Sequence, residues 1–206
     1  MRHLILAFLA SSAALGAASA HAQSPEVVEG CRDHLNPERV AACTRLIDGG
    51  NLDDDQLAQA HDWRLTARID AKDYVGAIAD ADRYADLQPD TVLAHVMRCM
   101  TRALAGRELE VADRACEAAL ALSQDPALYT ARGFLRLKQG RNAEAWFDFD
   151  QALRDGPSDQ PLYGRGIASL RLGRTTEGQA DLVAALQIEP GVAQTFADWG
   201  VRPPSP

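Results

Sequence analysis

The sequence predicts an all-α chain: an α-solenoid of about four stacked antiparallel helix hairpins, with extra helices on the N-terminal side and a short capping helix on the other. Three observations predict it. Four arginines, Arg64, Arg98, Arg132 and Arg165, recur at spacings of 34, 34 and 33 residues. Each period carries two segments with apolar residues at helical spacing, separated near Lys72, Gly106, Gly140 and Gly173. No stretch alternates convincingly as a strand. A period near 34 with two amphipathic segments means paired helices, each pair too thin to bury its apolar face alone.

The first element is a leader. MRHLILAFLASSAALGAASAHAQ starts with Arg2 and His3, continues with an uncharged stretch from Leu4 to Gly16, and ends in Ala20-His21-Ala22. That is the plan of a secretory signal peptide over residues 1–22, with cleavage expected after Ala22. The apolar stretch is shorter than the ~20 residues of a membrane span. No cysteine sits at the cleavage site, which argues against a lipid anchor. Nothing later in the chain approaches transmembrane length, so no stable membrane insertion is expected after cleavage.

Residues 23–56 read as an N-terminal helical cap. NPERVAACTRLID is expected to be a helix with Asn36 as N-cap and Pro37 in its first turn, stopped by Gly49-Gly50. Asp53 caps the next helix, with Gln56 three residues on in capping-box position. The stretch DGGNLDDDQ has acids but lacks the order of a calcium loop: counted from Asn51, position six is Gln56 and position twelve Asp62. It reads as a loop followed by a cap.

Residues 57–190 hold the repeats, divided as 57–90, 91–124, 125–157 and 158–190. The third is the clearest. Leu128, Ala131, Phe134, Leu135 and Leu137 mark a helix face, and so do Ala145, Trp146, Phe149, Ala152 and Leu153. Gly140 ends the first helix and Asn142 can cap the second. Gly133 and Ala145 are small where the two helices must approach. Pro157 and Pro190 follow their helices. Asp80, Asp148 and Asp181 each stand 16 residues after an arginine of the column, so a ladder of partly buried Arg–Asp pairs between paired helices is expected; the second unit has Arg114 at that place. Residues 191–206 read as a capping helix, Val192 to Trp199, and a frayed tail. A terminal element of this kind is expected to cover the apolar face of the last hairpin.

TARGFLRLKQGRNAEAWFDFDQALRDGP and YGRGIASLRLGRTTEGQADLVAALQIEP resemble the tetratricopeptide repeat family, and the resemblance extends over roughly residues 57–190. With AACTRLI and FADWGV at the two ends, the chain is similar to exported tetratricopeptide repeat proteins of alphaproteobacteria. The family column usually holds an apolar residue where this chain has its arginines.

Four cysteines, Cys31, Cys43, Cys99 and Cys116, follow the leader. An even count in an exported chain favours disulfides, and four cysteines allow three pairings. Cys99 and Cys116 lie about level on either side of the turn at Gly106-Arg107, in the places that Gly133 and Phe149 take one unit later. A Cys99–Cys116 disulfide fits that geometry, and Cys31–Cys43 then follows by elimination; two buried free thiols are the alternative.

Catalytic chemistry has no candidate. There is no C-x-x-C, H-E-x-x-H, G-x-S-x-G, phosphate loop or dinucleotide-binding glycine motif in the sequence. His61 and His95 share one repeat position and read as packing residues, so no metal and no cofactor is expected. A net charge of −8 without clustered Lys and Arg argues against nucleic acid. The resemblance implies a non-catalytic protein–protein interaction module. Its first helices would line a concave groove that displays Asp62, Thr66, Val96, Met100, Thr130, Phe134, Lys138, Tyr163, Ile167 and Arg171, acidic at one end, apolar in the middle and basic at the other. Phe134 and Ile167 also suit packing between units. Family members that clamp a C-terminal carboxylate use Lys and Asn where this chain has Val96, Thr130, Tyr163, Met100, Phe134 and Ile167, so such a clamp is not expected. The expected partner is a protein of the periplasm or cell envelope. The alternatives are a self-associating structural module, packing on a second copy or on its own tail, and a binder of a small envelope-derived ligand.

Overall fold

The computed structural model describes residues 24–204. The expected signal peptide and its cleavage site lie outside the described residues. Among the described residues there are eleven helices and no strand, and these residues divide into two compact units, one up to Gln88 and one from Pro89 onward.

The first unit contains α1 (Pro25–Arg32), α2 (Arg39–Asp48), α3 (Asp54–Asp70) and α4 (Tyr74–Leu87). Its core is Val27, Cys31, Ala42, Cys43, Leu46 and Ala60. Asp53 and Gln56 form the expected capping box at α3, the Gln56 amide donating to the Asp53 carboxylate at 2.8 Å. Asn36 does not cap α2, which begins at Arg39. Its carboxamide instead accepts from the Glu38 amide at 3.0 Å and donates to the Gly30 carbonyl at 2.6 Å, closing the connection back onto α1. A short polar side chain after Leu35 can serve either a helix end or a turn, and the turn wins here because it also satisfies a carbonyl of α1.

The second unit contains α5 (Val92–Ala105), α6 (Leu109–Leu122), α7 (Pro126–Lys138), α8 (Asn142–Ala152), α9 (Asp159–Arg171), α10 (Thr175–Ile188) and α11 (Val192–Asp198). Helices α5/α6, α7/α8 and α9/α10 are antiparallel pairs. Asn142 is the first residue of α8 rather than its cap; Arg141 holds the cap position and makes no side-chain cap bond. The first helices α5, α7 and α9 lie side by side, whereas α6, α8 and α10 do not pack on one another to a comparable extent. Within this unit the first helices therefore form the inside of a bend.

The Arg–Asp ladder forms, with two additions. Arg64 meets Asp80 at 2.7 Å, Arg132 meets Asp148 at 2.8 Å and Arg165 meets Asp181 at 2.8 Å. A second arginine one helical turn on joins two of these carboxylates: Arg68 reaches Asp80 at 2.6 Å and Arg136 reaches Asp148 at 2.7 Å. His61 Nδ1 lies 2.8 Å from Asp80 Oδ1, which accounts for this buried histidine. Burial acts to raise the Asp80 pKa, but the hydrogen bonds from His61 and Arg64 and the charges of Arg64 and Arg68 outweigh it and hold the carboxyl below its ordinary value. In the α5/α6 pair, where Arg114 stands in the aspartate's place, Cys99 and Cys116 meet instead, with Cα atoms 5.3 Å apart. Cys31 and Cys43 join α1 to α2 with Cα atoms 4.6 Å apart. Three repeat hairpins thus carry an Arg–Asp clasp between their two helices, and the α5/α6 hairpin carries the cysteine pair together with an Arg102–Glu108 ion pair at 2.9 Å.

Candidate functional site

The inner face of the second unit is set by α5, α7 and α9. Pro126 at the first turn of α7 and the Asp125 carboxylate, accepting from the Ala127 amide at 2.8 Å, fix where that helix starts. From there the 3.6-residue repeat brings Thr130, Phe134 and Lys138 onto one face. The same spacing on α9 aligns Tyr163, Ile167 and Arg171, and on α5 Val96 and Met100. Val96, Met100 and Thr130 are half-buried. Asp62 and Thr66 belong to α3 in the other unit, where the Thr66 hydroxyl donates to the Asp62 carbonyl at 3.0 Å.

The C-terminal half of this face is not open. Helix α11 and residues 199–202 lie across it. Phe196 is buried against the edge of Phe134, with ring centroids 6.2 Å apart, and against Tyr163 at 5.0 Å. Trp199 approaches Phe134 at 5.2 Å and Phe196 at 5.6 Å. Such edge and tilted aromatic contacts add about 0.5–1.5 kcal/mol per pair to the area they bury. Phe134, Tyr163 and Ile167, expected to line an open groove, are therefore all buried, at 1 %, 5 % and 0 % exposure. Packing is the alternative for Phe134 and Ile167; Tyr163 is buried with them, and Phe134 and Tyr163 pack against the chain's own C-terminal segment.

A Schellman turn shapes that segment. The Gly200 amide donates to the Ala197 carbonyl at 3.0 Å and the Val201 amide to the Phe196 carbonyl at 2.9 Å, with Gly200 at φ +77°. Val201 is thereby folded back into the core beside Val192. Gly200 is also where a side chain would crowd Lys138, since a Cβ there would lie 3.2 Å from Nζ. Lys138 donates to the Trp199 carbonyl at 2.9 Å. Arg171 donates to the Leu137 carbonyl at 2.9 Å and to the Arg202 carbonyl at 3.2 Å. Desolvation by burial lowers the pKa of both cations.

Because α11 is spent on the inner face, it leaves much of the last hairpin bare. Val183, Leu186 and Ile188 of α10 stay exposed, at 56 %, 39 % and 49 %. The expected cover over that apolar face is incomplete, since a seven-residue helix cannot lie on both surfaces. In the first unit, a cavity of about 320 Å³ is lined by Val28, Leu46, Leu52 and Trp63 with Asp55, Gln56 and Gln59. No group of three or more potential metal ligands occurs among the described residues, and no described helix is long and apolar enough to cross a membrane.

The architecture matches solved structures closely enough to assign it. It is similar to the crystal structure of MamA protein, with a TM-score of 0.62 at 15% identity over 87% of this chain and 96% of that one. The chain has the tetratricopeptide repeat fold. It is equally similar to TTC0263, a thermophilic TPR protein in Thermus thermophilus, with a TM-score of 0.62 at 14% identity over 90% and 97% of the two chains. A tetratricopeptide repeat protein from Parabacteroides merdae gives 0.59 at 15% identity over 92% and 77%. No family model and no curated protein matches the sequence.

Proposed function

We propose that this tetratricopeptide-fold chain is a non-catalytic protein–protein interaction module of the periplasm or cell envelope. In this reading it holds a partner segment on the inner face formed by α5, α7 and α9, with Val96, Met100, Thr130, Phe134, Lys138, Tyr163, Ile167 and Arg171 as the contact set. One observation carries the reading: that face already holds a peptide segment, residues 192–202, through aromatic side chains and through lysine and arginine donors to main-chain carbonyls. A surface built this way recognises helical protein. It needs neither cofactor nor metal, and with a net charge of −8 it does not suit nucleic acid. The secretory pattern of residues 1–22 and the two close cysteine pairs support an oxidising compartment.

A photo-crosslinker placed at Met100 or Thr130 tests the site in the envelope fraction of the native host. A discrete protein adduct is expected from both positions and not from exposed Val183 on α10. The same adduct from all three positions, or none from any, means the inner face is not the binding face. The compartment has its own test. Cys99→Ser with Cys116→Ser is expected to remove about 3 kcal/mol of stability, the loop-entropy value for a 17-residue separation, and reduction, which also opens Cys31–Cys43, about twice that. Urea unfolding with and without reductant measures it, and an unchanged midpoint means the thiols are free. Self-association, the alternative, is favoured by the exposed apolar residues of α10, and light scattering showing a stable dimer at low micromolar concentration would support it instead.

A further inference from the structure

We infer that residues 192–202 are a displaceable internal occupant of the inner face, and that the partner which replaces them carries a short amphipathic helix with two aromatic anchors three residues apart, followed by an acidic side chain. This deepens the proposed interaction function and rests on it.

The segment itself shows what the face accepts. Phe196 and Trp199 are spaced i, i+3 and fill one aromatic slot between Phe134 and Tyr163. Val201 completes the buried set after the turn. Where the segment ends, the match is incomplete. Lys138 and Arg171 donate to carbonyl oxygens of Trp199, Leu137 and Arg202, and among the described residues neither has a salt bridge to a carboxylate. Elsewhere in the repeats the half-buried Arg64, Arg132 and Arg165 meet aspartates, and buried Arg102 meets Glu108. Here the segment offers Arg171 only the main-chain carbonyl of Arg202, an exposed residue that is itself cationic. The present bonds join a cation to a neutral carbonyl; a carboxylate in that place would add the attraction of opposite charges and can take an arginine through two parallel bonds. An incoming acidic segment therefore has an advantage over the resident one.

The segment is also held in a way that permits release. Its helix has seven residues, far too few to persist without the contact that supports it. Residues Glu189–Gly191 join it to α10, so its displacement requires no other helix to move.

The test uses the full chain and two labelled synthetic peptides, residues 192–202 (VAQTFADWGVR) and the same peptide with Arg202→Glu. The wild-type protein is expected to bind the natural peptide weakly. Phe196→Ala with Trp199→Ala in the protein, which empties the slot, is expected to tighten binding at least tenfold. The Arg202→Glu peptide is expected to bind at least threefold tighter than the natural one, and Lys138→Met with Arg171→Met in the protein to abolish that preference. No gain from emptying the slot overturns displacement, and no preference for the acidic peptide overturns the partner's chemistry. If the emptied variant does not fold, hydrogen exchange on the wild-type chain decides: the amides of Gly200 and Val201 are expected to exchange at least a hundredfold faster than those of α9, and equal protection overturns the inference. Envelope adducts at Met100 and Thr130 that are unchanged by emptying the slot would leave the interaction function standing and remove only the displacement.

Discussion

Asp148→Asn is expected to lower the unfolding free energy by about 3–5 kcal/mol, the usual cost of removing one partner from a buried ion pair. Asp148 is fully buried and accepts from Arg132 at 2.8 Å and from Arg136 at 2.7 Å, and those two side chains are themselves only 16 % and 10 % exposed. The amide keeps the shape but removes the charge, leaving two guanidinium groups with no anion between them. In a chain of this size the change corresponds to a fall in melting temperature of roughly 6–20 °C. Asp150 provides the comparison. It lies two residues further along, pairs with Arg165 at 2.8 Å and is 39 % exposed. Solvent screens that pair, so Asp150→Asn is expected to cost less than about 1 kcal/mol. Equal effects in thermal or urea unfolding would mean that the Arg–Asp ladder does not hold the helices together. Replacing all three of Arg132, Arg136 and Asp148 by apolar residues of similar volume is expected to cost much less than Asp148→Asn alone, because no orphan charge remains.

The contrast between these two aspartates shows where sequence reading succeeds and stops. The hairpins were legible because a 34-residue period is a property of the chain itself, and the pairs at a separation of 16 follow from it. The second arginine of each cluster was harder to see. Arg64 with Arg68 and Arg132 with Arg136 are like charges one turn apart, which ordinarily marks a solvated face. Only the burial of Asp80 and Asp148 makes them a clamp. The recurrence of an arginine four residues after the column at Arg68, Arg102 and Arg136 was the available signal. The cysteine pairs could be read because Cys99 and Cys116 occupy the register of Gly133 and Phe149. The path of α11 could not. Trp199-Gly200-Val201 announces a helix end, but the sequence does not say whether the short helix stacks on α10 or turns onto α7 and α9. That choice depends on which apolar surface receives Phe196, and both surfaces exist. In this structure Phe196 goes to α7 and α9, and Phe134, Tyr163 and Ile167 are buried rather than open.

The same register argument predicts a large packing effect at Phe149. Its ring is fully buried in a slot that exists only because two neighbouring positions lack side chains. A Cβ on Gly133 of α7 would stand 2.9 Å from the ring, and a Cβ on Gly164 of α9 would fall onto it. One side chain from α8 thus fills the space between two first helices, which ties the third hairpin to the fourth. Phe149→Ala is expected to cost about 3–5 kcal/mol, transfer and cavity terms together. Gly164→Ala is expected to cost about 1–3 kcal/mol by overpacking. If the slot is shared, the two costs do not add. In the double variant the methyl group at position 164 enters space vacated by the ring, so the loss is expected to fall short of the sum by at least about 1 kcal/mol, a coupling typical of residues in contact. Urea unfolding of the two single variants and the double variant measures it. Strict additivity would mean that the methyl group at position 164 gains nothing from the loss of the ring, so that the slot between α7 and α9 is not shared in the way the contacts of Phe149 imply.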